Sequence, residues 1–242
     1  MRIGIGRGLG PSVERMASRI TAELGPGIDA VPGTLAIGVD DPMLPGADAR
    51  RPLAVIPAVG PRVTAWGEAL VAAADAVILF DPGEAQSLAG ALVGRAVTLA
   101  GLAAPRLRAP APGFDPGDAP EDLRRAMEGR ETLEGAGIAW VSGRGLARLT
   151  DALEAWAAGR AVVVLPGTDD HEIFRRGRAL RPRSGAEAVE ATRFLMDNPA
   201  LAQALGARGR HLAASLPSPR QVALRVLEGV ELARQSAAEG AR

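Results

Sequence analysis

Lysine, tyrosine and cysteine are all absent from this 242-residue chain, and only two histidines, His171 and His211, are present. Without cysteine there is no disulfide, no thiolate metal ligand and no thiol nucleophile. Without lysine there is neither a Schiff base nor a Walker-type phosphate loop. Two histidines do not make a multi-histidine metal centre. Carboxylates, arginines, hydroxyls and exposed backbone are left to do chemistry, and four places concentrate them. Gly4, Gly6, Gly8 and Gly10 could let backbone approach a phosphate, although Leu9 stands where a G-x-G-x-x-G pattern needs its third glycine. Asp169, Asp170, His171 and Glu172 are potential metal ligands, but adjacent residues rarely converge on one ion, so no metal is expected. Arg144, Arg148 and Arg160 flank Glu154, and such guanidinium forks hold phosphate or pair with carboxylates at the surface. Arg175, Arg176, Arg178, Arg181 and Arg183 form a basic cluster with no acid inside it, suited to a solvated loop, a phosphate or an anionic lipid surface.

The elements that must position these groups are legible as alternating strand and helix signals. Arg2 to Gly6 is a short apolar run, followed by a glycine turn and the helical spacing Val13, Met16, Ile20, Leu24. Short strands are predicted at 34–39, 53–57, 75–80 and 95–100, with helices over 65–73 and 84–92. Continuous apolar runs such as Ala76-Val77-Ile78-Leu79 suit parallel sheets covered on both faces. Five prolines and three glycines fall in 101–120, so Ala109 to Gly117 reads as a linker without regular structure. Beyond it come an acidic helix over 120–134, strands at 138–141 and 161–165, and helices over 146–158, 185–197, 199–212 and 219–234. Trp66, Trp140, Trp156 and Phe194 read as core side chains. The fold class is α/β, with two Rossmann-like parallel-sheet domains, both abbreviated: residues 1–108, a linker at 109–119, and a shortened second domain over 120–242.

Charge is balanced throughout. The 28 acids match the 28 arginines, ten of each before residue 111 and eighteen of each after it. That balance argues against a nucleic-acid partner, which requires a basic excess. No apolar run is long enough to span a membrane, and the N-terminus lacks the pattern of a signal peptide. A cytoplasmic location is therefore expected, with peripheral membrane contact left open.

The stretch from Leu153 to Val164, then Gly167 to Leu180, Ala188 to Leu195 and Asp197 to Arg210, resembles the C-terminal part of retaining GT-B glycosyltransferases of the large family 4 type. The elements of that resemblance are a Leu-Glu-Ala helix, a Val-Val strand and a glycine turn leading to a short apolar-acidic tripeptide. A helix opening at Asn198-Pro199 follows. Together they cover about residues 138–216.

The resemblance implies transfer of a sugar from a nucleotide-sugar donor to an unidentified acceptor, with the donor as substrate and no separate cofactor. It matches Glu154 to a ribose-binding glutamate, since an ionised carboxylate can accept from both ribose hydroxyls. It places Gly167 and Thr168 at the donor, on a turn after a buried strand. Arg144 and Arg148, from their charge, and Gly8, from the N-terminal glycine turn, are further binding candidates read from the residues themselves. Two departures stand out. Leu146 occupies the position where such proteins usually carry a second acid, and the unit that would hold a diphosphate-binding Arg/Lys pair is largely missing. The alternative expectation is a non-catalytic relative that acts with a partner protein or a second copy of itself. Catalytic residues are not assigned.

Overall fold

The computed structural model describes residues 2–5, 11–25, 34–37, 53–56, 71, 74–82, 88, 90, 92–128, 137–143, 145–167 and 171–240. Two compact units emerge: Met1–Ala103 together with Pro217–Arg242, and Ala104–Leu216. Both are α/β with parallel sheets, as the sequence predicts.

In the first unit, β1 (Arg2–Ile5), β2 (Thr34–Ile37), β3 (Leu53–Ile56), β4 (Ala76–Leu79) and β5 (Ala96–Leu99) form one parallel sheet in the order of the sequence. The register is fixed by pairs such as Ile3 with Leu35, Val55 with Val77 and Leu79 with Leu99. All four residues of β4 are buried, as befits an apolar strand inside a parallel sheet. Helix α1 (Pro11–Leu24) buries Val13, Met16, Ala17, Ile20 and Leu24, the one-sided stripe its spacing predicts. Ser12 lies inside the first turn of this helix, where it is also buried.

The elements of the second unit are β6 (Gly113–Asp115), α2 (Glu121–Arg125), β7 (Gly137–Val141), α3 (Gly145–Ala157) and β8 (Ala161–Val164), then α4 (Glu172–Arg176), α5 (Gly185–Asp197) and α6 (Pro199–Ser215). The three strands pair in parallel in the order β6, β7, β8. Ile138, Trp140, Ala161, Val163 and Leu165 pack in one core with Ala188, Val189, Leu195, Met196 and Ala202 from α5 and α6. The two-residue period of a strand sends Ala139, Val141, Val162 and Val164 to the opposite face. Inside the core, the Trp140 indole N–H donates to Thr192 Oγ1 at 2.6 Å, and that hydroxyl donates to the Ala188 carbonyl at 2.7 Å.

Trp156 of α3 is fully buried, and glycines permit it. A Cβ on Gly209 of α6 would stand 1.9 Å from Trp156 Cδ1, and one on Gly177 would stand 2.2 Å from Cζ2. Gly206 lies equally close to backbone, its virtual Cβ 2.1 Å from the Gly159 carbonyl oxygen. These contacts let α6 and the end of α4 close onto α3.

Four sequence expectations change. The Pro/Gly-rich stretch read as irregular contains β6. The prolines at 110, 112 and 116 flank this strand rather than occupy it, and it lies at a sheet edge, where missing donors are tolerated. Phe114 packs edge-on against Trp140, 4.9 Å between ring centres, and the Ala111 N–H donates to the Ala158 carbonyl at 3.0 Å. Phe194, expected in the core, is 56% exposed, because α5 turns that face outward; Trp140 and Trp156 are core residues as expected. The acidic helix is a single turn, Glu121–Arg125, over its described length. Finally, α7 (Pro219–Gly240) packs on α1, β3, β4 and β5, so the last segment joins the first unit rather than the second. Gly229 makes this possible: its virtual Cβ lies 2.5 Å from Ile78 Cγ1. Trp66 and the helices expected at 65–73 and 84–92 fall wholly or mainly outside the described residues.

Candidate functional site

The C-terminal edge of the β7–β8 sheet is where ligands of parallel α/β sheets sit, because helix N-termini and strand-end loops converge there. At the end of β7, Gly143 and Gly145 adopt φ of +83° and +57°, a left-handed backbone that a glycine enters without steric cost. That turn starts α3, and the partial positive charge of the helix N-terminus faces the same edge.

Arg148 completes the first turn of α3. Surface pairing was expected of it, yet it is only 2% exposed. One arm of its guanidinium donates to the Leu165 carbonyl just past β8. The carbon at its centre stands 5.7 Å from the centre of the Phe174 ring in α4, a cation–π arrangement. Gly167 lies against it: a Cβ at that glycine would be 2.7 Å from Arg148 Nη1. A buried guanidinium is thus built into the strand edge by a carbonyl, an aromatic face and a glycine.

The structure therefore brings Arg148 and Gly167 together. It does not bring Glu154 to them. Glu154 lies six residues further along α3, about 9 Å down the helix axis at 1.5 Å per residue. Its side chain is 15% exposed, and its carboxylate stands 4.0 Å from the Arg108 guanidinium. The Arg108 N–H donates to the Ala157 carbonyl, which marks this as the end of α3 where β8 begins, the edge opposite Leu165. Arg160 pairs with Asp115 of β6 and belongs to the same lower edge. Thr168, Arg144 and Gly8 lie outside the described residues, as do Asp169 and Asp170.

His171 has a local role. Its Nδ1 accepts the Ile173 N–H at 3.1 Å, which caps α4 and assigns the ring proton to Nε2. Among the described residues no three His, Asp or Glu side chains come together as a metal site. Leu146, where the resemblance expects an acid, is buried at the start of α3.

Asp81 is not among the candidate residues read from the sequence. It is 6% exposed and follows β4 directly, at the C-terminal edge of the first sheet. The available signal was a carboxylate placed immediately after a fully apolar strand.

Fold and site define an α/β protein of parallel sheets with a cationic strand edge in its second unit. Residues 148–228, roughly a third of the chain, match the family described as glycosyl transferase-like. That stretch, which opens at Arg148 and runs into α7, is glycosyltransferase-like. No curated protein matches the chain. No helix among the described residues is long and apolar enough to cross a membrane.

Proposed function

We propose that the chain binds a nucleotide sugar at the C-terminal edge of the β7–β8 sheet and transfers the sugar to an acceptor. The observation carrying this reading is Arg148, buried at that edge beside Gly167 within the glycosyltransferase-like stretch. A donor diphosphate carries charge that a guanidinium, a helix N-terminus and glycine backbone are suited to meet. The same groups would stabilise the leaving diphosphate without a metal. The ribose role expected of Glu154 is not part of this proposal, because its carboxylate stands beside Arg108 at the opposite edge, and Glu154→Ala serves as the comparison variant.

The test is calorimetric titration of the full chain with UDP-, GDP- and ADP-sugars, repeated on Arg148→Met and Glu154→Ala. Methionine keeps most of the side-chain volume, so Arg148→Met is expected to melt near the parent temperature while losing donor binding. Absence of binding to every sugar nucleotide would overturn the proposal.

A second reading has its own observation: Leu146 fills the acid position with a buried apolar side chain, and Glu154 is tied to Arg108 at the far edge. On that reading the chain is a non-catalytic relative serving a partner protein or a second copy. Co-purification with a partner, together with no sugar-nucleotide binding, would favour it; sugar transfer by the isolated chain would eliminate it.

A further inference from the structure

A second cationic feature lies within the same unit, away from the Leu165–Gly167 edge. Arg176 at the end of α4 and Arg208, His211, Leu212 and Ser215 of α6 line one groove. Arg208, His211 and Ser215 follow one another at three- and four-residue steps, so they share a helix face. Arg176 reaches the groove from a different element. What holds the two together is the Trp156 slot: Gly177, next to Arg176, and Gly209, next to Arg208, both close directly on that indole.

The packing thus forces two guanidinium groups and an imidazole toward one hollow. Among the described residues, no carboxylate lies within salt-bridge distance of Arg176 or Arg208, although exposed arginines elsewhere in the chain pair with Glu121 and Glu231. Like charges gathered without a counter-charge repel one another, and a bound anion removes that cost. The Ser215 hydroxyl donates to the Leu212 carbonyl at 2.7 Å, which leaves its oxygen at the rim as an acceptor. The recognising groups are therefore the arginine forks and an imidazole N–H. Arg175 and Arg178, both exposed, flank Arg176 in the sequence and add the same sign of charge.

We propose that this groove is a phosphate-binding site, for an anionic phosphate ester, separate from the strand-edge site around Arg148. A soluble phosphorylated molecule and an anionic phospholipid headgroup share this chemistry, and the experiment separates them.

The full chain is titrated with pyrophosphate by calorimetry and, in parallel, floated with phosphatidylcholine vesicles with or without phosphatidylglycerol. Each measurement is repeated on the double variant Arg176→Gln/Arg208→Gln, on Arg148→Met, and on Arg220→Gln, an exposed arginine of α7 that controls for loss of surface charge away from the groove. The double variant is expected to weaken binding about tenfold or more, the scale of losing charge-assisted hydrogen bonds. Arg220→Gln is expected to leave it unchanged; Arg148→Met, which reports the strand-edge site, is expected to retain the component of binding that the double variant removes. Pyrophosphate binding that the double variant weakens assigns a soluble phosphate to the groove; binding to phosphatidylglycerol vesicles alone, weakened in the same way, assigns the lipid. The proposal is overturned if neither probe binds, or if the double variant binds like the parent. It is equally overturned if Arg148→Met abolishes binding while the double variant retains it, an outcome that would place the anion at the strand edge.

Discussion

At Arg148 the side chain is charged and its surroundings are not. Burying a guanidinium is unfavourable unless hydrogen bonds and an aromatic face replace the water it loses. The Leu165 carbonyl and the Phe174 ring do this. Truncation by Arg148→Ala removes both contacts and leaves a void. It should cost about 1.5–3 kcal/mol of stability, the range for hydrogen bonds to charged groups, and chemical denaturation measures it. Replacement of the charge without loss of volume, as in Arg148→Met, should cost much less. Trp156 provides a second residue-scale test. A methyl group at Gly209 has no space beside the indole, so Gly209→Ala should destabilise by about 1–3 kcal/mol through overpacking. Gly240→Ala, in α7 with nothing within 4 Å of its virtual Cβ, should leave the melting temperature unchanged or slightly raised.

At the scale of elements, α5 is fixed to the sheet by more than apolar area. Thr192 Oγ1 accepts the Trp140 N–H and its hydroxyl donates to the Ala188 carbonyl, so the replacement Thr192→Val leaves an indole donor without its partner in the core. The expected loss is about 1–3 kcal/mol, the penalty for an unsatisfied buried group, read from denaturant midpoints. The start of α5 is secured separately: Ser184 Oγ accepts the Glu187 N–H, and the Glu187 carboxylate accepts the Arg183 N–H. In α7, the hydrogen bond from Arg234 holds the Glu231 carboxyl below its ordinary value. A carboxyl lowered in the folded state stabilises at neutral pH, and that contribution disappears as pH falls through its acid titration. Glu231→Gln should therefore melt slightly below the parent at neutral pH in low salt and coincide with it in acid. High salt should also erase the difference, because the pair is open to solvent.

For the molecule as a whole, the division between units is the testable matter. The inward face of α7 carries Val222, Ala223, Val226, Val230 and Ala233, all buried in the first unit. A fragment spanning 104–216 keeps β6 and the whole apolar core of the second unit, so it should fold and melt cooperatively. A fragment spanning 120–242 loses β6 and exposes the α7 stripe, so it should aggregate. Circular dichroism melts and size-exclusion chromatography of the two fragments check this. If 120–242 proves the better-behaved piece, the boundary at Leu216 is wrong.

Periodicity alone determined most of the local structure here. The stripe of α1, the apolar runs of β4 and β8, and the helices over 185–197 and 199–215 follow from spacing, because each buries a face that its own residues define. Ordered short motifs also pointed to the glycosyltransferase-like stretch. Three things depended on contacts distant in sequence, and local pattern could not supply them. Asp115 and Phe114 become part of a strand because Arg160 and Trp140 receive them. Helix α7 leaves the unit that precedes it because Gly229 fits over Ile78. Arg148 turns inward while Glu154, on the same helix, ends at the opposite edge with Arg108. Sequence spacing records that two residues share a helix, but the neighbours that surround the helix decide which of them meets the sheet edge.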